Sequence, residues 1–295
     1  MLDIRTYKHA RISGLLISNI ESSIMRKSLL TLGLLAAASA PVMAADYSDG
    51  DTHKNDYNWM QFNIMHTIDE KPQDKDHTYL EMEFGGRSGI FDLYGYIDVF
   101  NLTNDSGSDK ANDDQLFVKF APRMSIDGLT GKDLSFGPVQ ELYVANYTTI
   151  DGKADGGYAT KTGIGSDVMV PWFGKMQFNL YATYDLNAKD WNGYQFSTNW
   201  FKPFVNFDNG SFIAYQGYID YEFGRDSSYN QSSNGGSMFN GIYWHNDQFA
   251  VGYGLKLYQD VYGLRDGALM DPNKPQIGEF STSGVGHYFA VTYKF

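Results

Sequence analysis

The chain contains no cysteine among its 295 residues. Disulfide scaffolds, thiolate metal sites, cysteine nucleophiles and cysteine-held iron–sulfur clusters are therefore excluded together. Basic residues are also scarce: 23 Lys and Arg stand against 35 Asp and Glu, a formal net charge of −12. Nothing in that balance would neutralise a run of phosphates, so nucleic acid is not a partner. Proline occurs only 8 times, and beyond the N-terminal region no apolar run approaches the ~20 residues of a spanning helix. What is abundant is aromatic and small: 20 Phe, 22 Tyr, 5 Trp and 31 Gly. Rich in rings and glycine, and free of cysteine, such a chain suits an all-β protein with one face to lipid and the other to water.

The N-terminus reads as an address. Met25-Arg26-Lys27 is a basic opening, Ser28 to Ala40 an apolar stretch with five leucines, and Val42-Met43-Ala44 a cleavage site of small or tolerated residues. This pattern predicts a signal peptide over 25–44 and a mature chain beginning at Ala45. Residues 1–24 show no coherent period and are expected to be an upstream extension, with translation starting at Met25. Removing 1–44 takes away Arg5, Lys8, Arg11, Arg26 and Lys27 together with Asp3 and Glu21, leaving 18 basic and 33 acidic residues and a net charge of −15. An acidic, exported, cysteine-free chain points outside the cytoplasm of a Gram-negative-type cell.

Through residues 45–295 the dominant period is two. Leu80, Met82 and Phe84 alternate with Tyr79, Glu81 and Glu83, and Phe249, Val251, Tyr253, Leu255 and Leu257 alternate with Ala250, Gly252, Gly254 and Lys256. About twelve such segments can be counted: 59–68, 78–85, 90–100, 116–125, 139–149, 160–170, 175–185, 194–204, 211–223, 236–245, 249–258 and 286–295. Most are near the 9–11 residues of a tilted spanning strand. Long polar connections (101–115, 150–159, 224–235, 259–285) fall mostly on one side and tight ones (86–89, 171–174, 246–248) on the other. That asymmetry predicts a 12-stranded antiparallel transmembrane β-barrel of the outer membrane, multi-pass, with both termini in the periplasm. The stretch 126–138 is the exception, a dozen residues where a short turn is expected. A soluble β-sandwich or lipocalin-like cup also alternates, but would not place Phe, Tyr and Leu on outward positions to its last residue, Phe295.

The run Arg123-Met124-Ser125-Ile126-Asp127-Gly128-Leu129-Thr130-Gly131-Lys132-Asp133-Leu134-Ser135-Phe136-Gly137-Pro138-Val139-Gln140-Glu141 resembles the signature of the Tsx nucleoside-channel family. Thr78 to Glu83 and Phe91 to Asp98 resemble a second block of that family. The C-terminal half, with Trp191-Asn192-Gly193 and the closing Val291 to Phe295, looks more like the family's vibrio branch, OmpK. The resemblance implies a monomeric porin passing nucleosides and deoxynucleosides, with outer loops used as receptors by a phage or bacteriocin. The sequence departs from the family at Gly85 to Gly89, at Val139-Gln140 and at Met82. A general small-solute porin, or a surface receptor without nucleoside selectivity, is the alternative.

A nucleoside is an uncharged flat base on a hydroxyl-rich sugar, so a selective lumen needs ring faces and acceptors. The second to fifth segments carry both on one face. Tyr79, Tyr94, Tyr96 and Tyr143 supply rings, and Glu81, Glu83, Asp92, Asp98 and Glu141 supply carboxylates, if Leu80, Leu93 and Leu142 face lipid. Lys119 and Arg123 share a face of the fourth segment. Threading places Arg123 between Asp92 and Glu141, as ligand contact or as a strut. Asp220, Glu222 and Lys256 read as plain luminal polarity, and Trp200, Tyr221, Tyr253 and Phe295 as lipid-facing. No motif sets a serine beside His53, His66, His77, His245 or His287, so no enzyme is expected. Asp105, Asp109, Asp113 and Asp114 match no calcium-loop order. No cofactor and no metal is implied.

Overall fold

The computed structural model describes residues 47–111, 115–152 and 158–295. The expected extension, the signal peptide, Asp113 and Asp114 lie outside the described residues. Thirteen strand segments follow in order: β1 Tyr57–Glu70, β2 Lys75–Ser88, β3 Phe91–Phe100, β4 Leu116–Phe120, β5 Arg123–Ser125, β6 Val139–Asp151, β7 Ala159–Val170, β8 Gly174–Asp185, β9 Asp190–Asn206, β10 Phe212–Phe223, β11 Gly235–His245, β12 Phe249–Gln259 and β13 Gly284–Lys294. Both β4 and β5 pair with β3 and β6, so they are two parts of one wall strand and the wall has twelve. The break falls at Ala121-Pro122, because proline has no N–H to give the ladder. The wall stays stitched there by Ala121 N–H to Tyr94 O at 2.8 Å and Asn146 N–H to Pro122 O at 2.9 Å.

Each strand runs antiparallel to its neighbours, and β1 pairs with β13 from Gln61↔Lys294 to Ile68↔His287. The sheet therefore closes on itself. Closure removes both edges, which a strand wall in hydrocarbon cannot leave unpaired. The predicted segments are all present, several with longer ends: β9 runs over Asp190–Asn206 where the alternation suggested 194–204.

The residue distribution is inverted relative to a soluble protein. Ile64, Val144, Ile164, Leu180, Ile242, Val251, Phe289 and Val291 are exposed, while Asn63, Thr67, Asp98, Asp167, Gln195 and Thr292 are buried. Apolar side chains face outward and polar ones inward, as a spanning barrel requires. Rings such as Phe204, Phe207, Phe249, Tyr293 and Phe295 are exposed near the rim that carries the short turns, where aromatic belts form. Trp200 keeps the outward position expected of it, opposite Gly217, but is only 7 % exposed because it packs on Tyr215 with ring centroids 5.6 Å apart.

The long stretch 126–138 is a built piece of structure. It opens with a one-turn helix, α1, Ile126–Thr130, capped by Ser125, whose Oγ accepts from Gly128 N–H at 2.9 Å. Asp127 is fully buried and accepts from the backbone N–H of Leu134 at 2.9 Å and of Leu142 at 3.1 Å. One carboxylate thus pins the loop to the first turn and to β6.

Two glycines of β12 are required by close approach. A Cβ at Gly252 would lie 2.3 Å from the Tyr243 ring, and one at Gly254 would lie 2.2 Å from Phe239 Cζ. Both rings lie flat against the inner wall because nothing stands under them. Replacing Gly254 with valine is expected to push the Phe239 ring into the lumen. Single-channel conductance should fall by roughly half, with Gly254→Ala showing a smaller loss of the same sign.

Candidate functional site: the lumen

The pleat sends alternate side chains of each strand inward. All eleven residues singled out from the sequence lie on the inner face. They separate into two groups by depth.

The first group forms a closed knot near the short-turn rim. Arg87 of β2 makes a two-pronged pair with Glu141 of β6, Nη2 to Oε1 at 2.6 Å and Nη1 to Oε2 at 2.9 Å. Arg123 of β5 pairs with Asp92 of β3 and with Asp167 of β7, the latter at 2.9 Å. Lys175 of β8 also reaches Asp167, at 2.6 Å. The Tyr143 hydroxyl donates to Glu141 at 2.7 Å, and the Arg123 guanidinium lies 4.0 Å from the Tyr143 ring centroid. Ser125 donates to Glu141 as well. Asp92, Arg123, Glu141 and Tyr143 are each less than 8 % exposed, and their hydrogen-bond and ion-pair partners are other groups of the wall.

The expected threading is corrected in one respect. Arg123 sits between Asp92 and Asp167, not between Asp92 and Glu141. Depth does not distinguish the two acids, because Asp167 stands opposite Glu141 on the next strand; availability does. Glu141 is taken by Arg87, which the sequence pattern assigned to a turn and which here continues β2.

A segment before β1 roofs this knot. Tyr47 is 1 % exposed, with its hydroxyl 3.5 Å from Glu141 Oε1 and the Arg87 guanidinium 5.4 Å from its ring centroid. Burial, and then the neighbouring Glu141, push the Tyr47 phenol up to about 12, so it remains a donor. Further along, Asp56 accepts from Gly89 N–H at 2.8 Å and is held below the usual carboxylate range, chiefly by its hydrogen bond from His53.

The second group lies deeper and is wetter. Lys119 of β4 reaches across the barrel to Asp220 of β10, Nζ to Oδ2 at 3.6 Å. With β4 and β5 counted as one, β4 and β10 are five strands apart in a wall of twelve, so this pair crosses near the diameter. Four phenol rings surround the ammonium: Tyr147 at 4.4 Å, Tyr96 at 5.7 Å, and Tyr94 and Tyr218 both at 5.8 Å. Glu83 accepts from Tyr94 at 2.9 Å and from Gln61 at 2.6 Å, Glu81 accepts from Asn63 at 2.6 Å, and Asp98 stands opposite Glu81. Tyr79 joins Met65, Phe239, Tyr243 and Tyr288 in an aromatic patch. Lys256 of β12 lies 5.0 Å from the Tyr258 ring and 5.5 Å from that of Tyr288. Lys161 bridges to Glu222 at 2.5 Å.

Tyr147, Tyr218, Phe239, Tyr243, Tyr258 and Tyr288 were not singled out from the sequence. On the later strands both faces carry rings, so alternation does not tell inside from outside. The available signal was glycine at alternate positions of one strand, Gly252 and Gly254, beside a strand with Phe239 and Tyr243 at the same spacing.

One histidine has the partners of a hydrolytic triad. His77 contacts Thr67 Oγ1 at 3.2 Å through Nδ1 and Glu70 at 2.9 Å through Nε2. Thr67 has no exposed surface, so no substrate carbonyl can reach its hydroxyl. Among the described residues no cluster of His, Asp and Glu could hold a metal ion.

Comparison with known proteins follows the same lines. The sequence pattern of the family described as nucleoside-specific channel-forming protein, Tsx, matches residues 54–295. Outer membrane protein OmpK of Vibrio parahaemolyticus serotype O3:K6 is 67% identical over 279 residues, covering 92% of this chain and 100% of that one. Nucleoside-specific channel-forming protein Tsx of Klebsiella pneumoniae is 31% identical over 296 residues, again covering 92% and 100%. Among solved structures, a KdgM porin aligns with a TM-score of 0.42 at 8% identity, over 80% of this chain and 99% of that chain.

Proposed function

The chain belongs to the Tsx family of nucleoside-specific outer-membrane channels, and on that premise we propose that its own lumen passes nucleosides and deoxynucleosides by diffusion. The observation that carries this reading is the ring of Tyr94, Tyr96, Tyr147 and Tyr218 around Lys119, with carboxylates at the same depth. A base has a face to lay on phenol rings, worth about 1–3 kcal/mol per stack. Sugar hydroxyls find acceptors in Glu81, Glu83, Asp98 and Asp220, and charged acceptors bind them more strongly than neutral ones. Serial weak contacts let a solute step through rather than stay. Tyr79 belongs to the same track.

Asp92, Arg123, Glu141 and Tyr143 take a different part in this reading. Closed on one another, they stiffen the wall and set the width of the periplasmic exit. No chemical step and no cofactor is assigned. The apolar outer face is solvated by outer-membrane lipid, and one chain encloses one pore, so a monomer suffices. The long loops are the surface a phage or bacteriocin would use. Residues 25–44 serve as the export signal, with Met25 as the start.

Planar-bilayer recording tests the proposal. Adenosine should block the open channel in a concentration-dependent way, ribose should not, and AMP should block more weakly because its phosphate meets Glu81, Glu83 and Asp98. A conductance indifferent to adenosine would mark a general small-solute pore instead.

A further inference from the structure

The outer wall carries a group of side chains that hydrocarbon alone would not select. It lies on β9, β10 and β11. Trp200 stands opposite Gly217 and Lys202 opposite Tyr215, so all four positions share the lipid-facing side. Gly217 also stands opposite Asn240, which brings that amide to the same side. A Cβ at Gly217 would lie 2.7 Å from Trp200 Cζ2, so the glycine is what lets the indole lie against the wall. The Trp200 and Tyr215 ring centroids are 5.6 Å apart, and the Phe173 ring meets Tyr215 edge-on at 6.3 Å. Phe173 belongs to the short turn between β7 and β8, where its N–H donates to Val170 O at 3.2 Å. That ring contact fixes the depth of the group at the short-turn, periplasmic edge of the bilayer.

The polar atoms of this group are only partly matched. The Tyr215 hydroxyl donates to Asn240 Oδ1 at 2.7 Å, which turns the amide nitrogen of Asn240 away from it. Among the described residues that nitrogen donates to nothing, and Lys202 makes neither an ion pair nor a hydrogen bond. Polar groups on a lipid-facing wall need partners, and hydrocarbon offers none. A lysine at this depth lays its stem along the apolar wall and carries its ammonium to the headgroups. Trp and Tyr rings, apolar in body and polar at the tip, sit at the same level. Asn240 stands two residues deeper than the Lys202–Tyr215 pair, about 5 Å along the membrane normal for a tilted strand. A phospholipid has the same order of groups: an anionic phosphodiester at the surface and ester carbonyls one step deeper.

We propose that Lys202 and Asn240, bracketed by Trp200 and Tyr215, form a seat for one phospholipid of the inner leaflet. The phosphodiester rests on the Lys202 ammonium and an ester carbonyl accepts from the Asn240 amide. The seat is continuous with the apolar outer face, opposite in charge to its occupant, and independent of what the pore carries.

Native mass spectrometry of the barrel in detergent, titrated with phosphatidylglycerol or with diacylglycerol of the same chains, tests this. Wild type should retain one phosphatidylglycerol and no diacylglycerol. Lys202→Met should weaken retention roughly fivefold, the size of one lysine at an anionic surface. Asn240→Leu should weaken it by a smaller factor, and Lys202→Arg should keep it. Lys132→Met, on the exposed 131–138 loop, should match wild type. Equal retention by wild type and Lys202→Met, or an equal loss in Lys132→Met, would overturn the seat. Equal retention of diacylglycerol would reduce the group to an apolar belt. A barrel dimer lost in Lys202→Met would put a second copy of the chain there instead of a lipid. Heat-dependent gel mobility confirms that each variant is a closed barrel before it is titrated.

Discussion

Replacing Lys119 with alanine is expected to open the channel and turn it toward cations. The ammonium crosses the lumen to Asp220 and stands among four phenol rings, so its removal clears the middle of the pore. It also leaves Glu81, Glu83, Asp98 and Asp220 without their central counter-charge. A unit pair near 4 Å is worth about 4 kcal/mol at an effective dielectric constant of 20, and cation–π contacts add about 0.5–2 kcal/mol. Losing both should raise conductance roughly twofold and shift the reversal potential in a salt gradient toward cation selectivity. Lys119→Met separates the two effects, because it keeps most of the stem and removes the charge. It should shift the reversal potential as alanine does, with a smaller rise in conductance. If neither variant changes either quantity, Lys119 is outside the conduction path and the central ring loses its role.

The fold was legible because a membrane wall constrains both faces of every strand. Lipid outside and water inside force the alternation that marked the twelve segments, and the closing Phe295 fits that pattern to its last residue. The inner face of the early strands was legible for the same reason: Glu81, Glu83, Asp92 and Asp98 are charges that hydrocarbon would not accept. The inner face of the later strands was not. Tyr218, Phe239, Tyr243 and Tyr288 are amphipathic, and such rings are equally at home against lipid, at the belt or in a pore. Partner choice was also hidden. Arg123 meets Asp167 rather than Glu141 because Arg87 takes both Glu141 oxygens, and that competition depends on how strands are set side by side, a property of pairing that no single segment carries. Tyr47 lies outside the strands, where period two says nothing, and only the closed wall shows that it stands over Arg87 and Glu141.

Arg123→Met should be the most destabilising single change in the lumen, while leaving nucleoside block nearly intact. Arg123 is 4 % exposed and joins Asp92 on one side to Asp167 on the other. Removing one partner of a buried pair strands the other charge, at a cost of about 3–5 kcal/mol. The two acids do not suffer equally. Asp167 keeps Lys175 at 2.6 Å, whereas Asp92 has its ion pair only with Arg123 among the described residues. The double change Arg123→Met with Asp92→Asn should therefore recover much of the loss, since it removes the stranded charge as well. Arg123→Lys should recover less, because one ammonium cannot span two carboxylates as a planar fork does. The temperature or urea concentration at which the barrel loses its compact gel mobility measures all three. A variant that keeps wild-type stability but loses adenosine block would place Arg123 in the solute path, and the knot would then be a binding site rather than a brace.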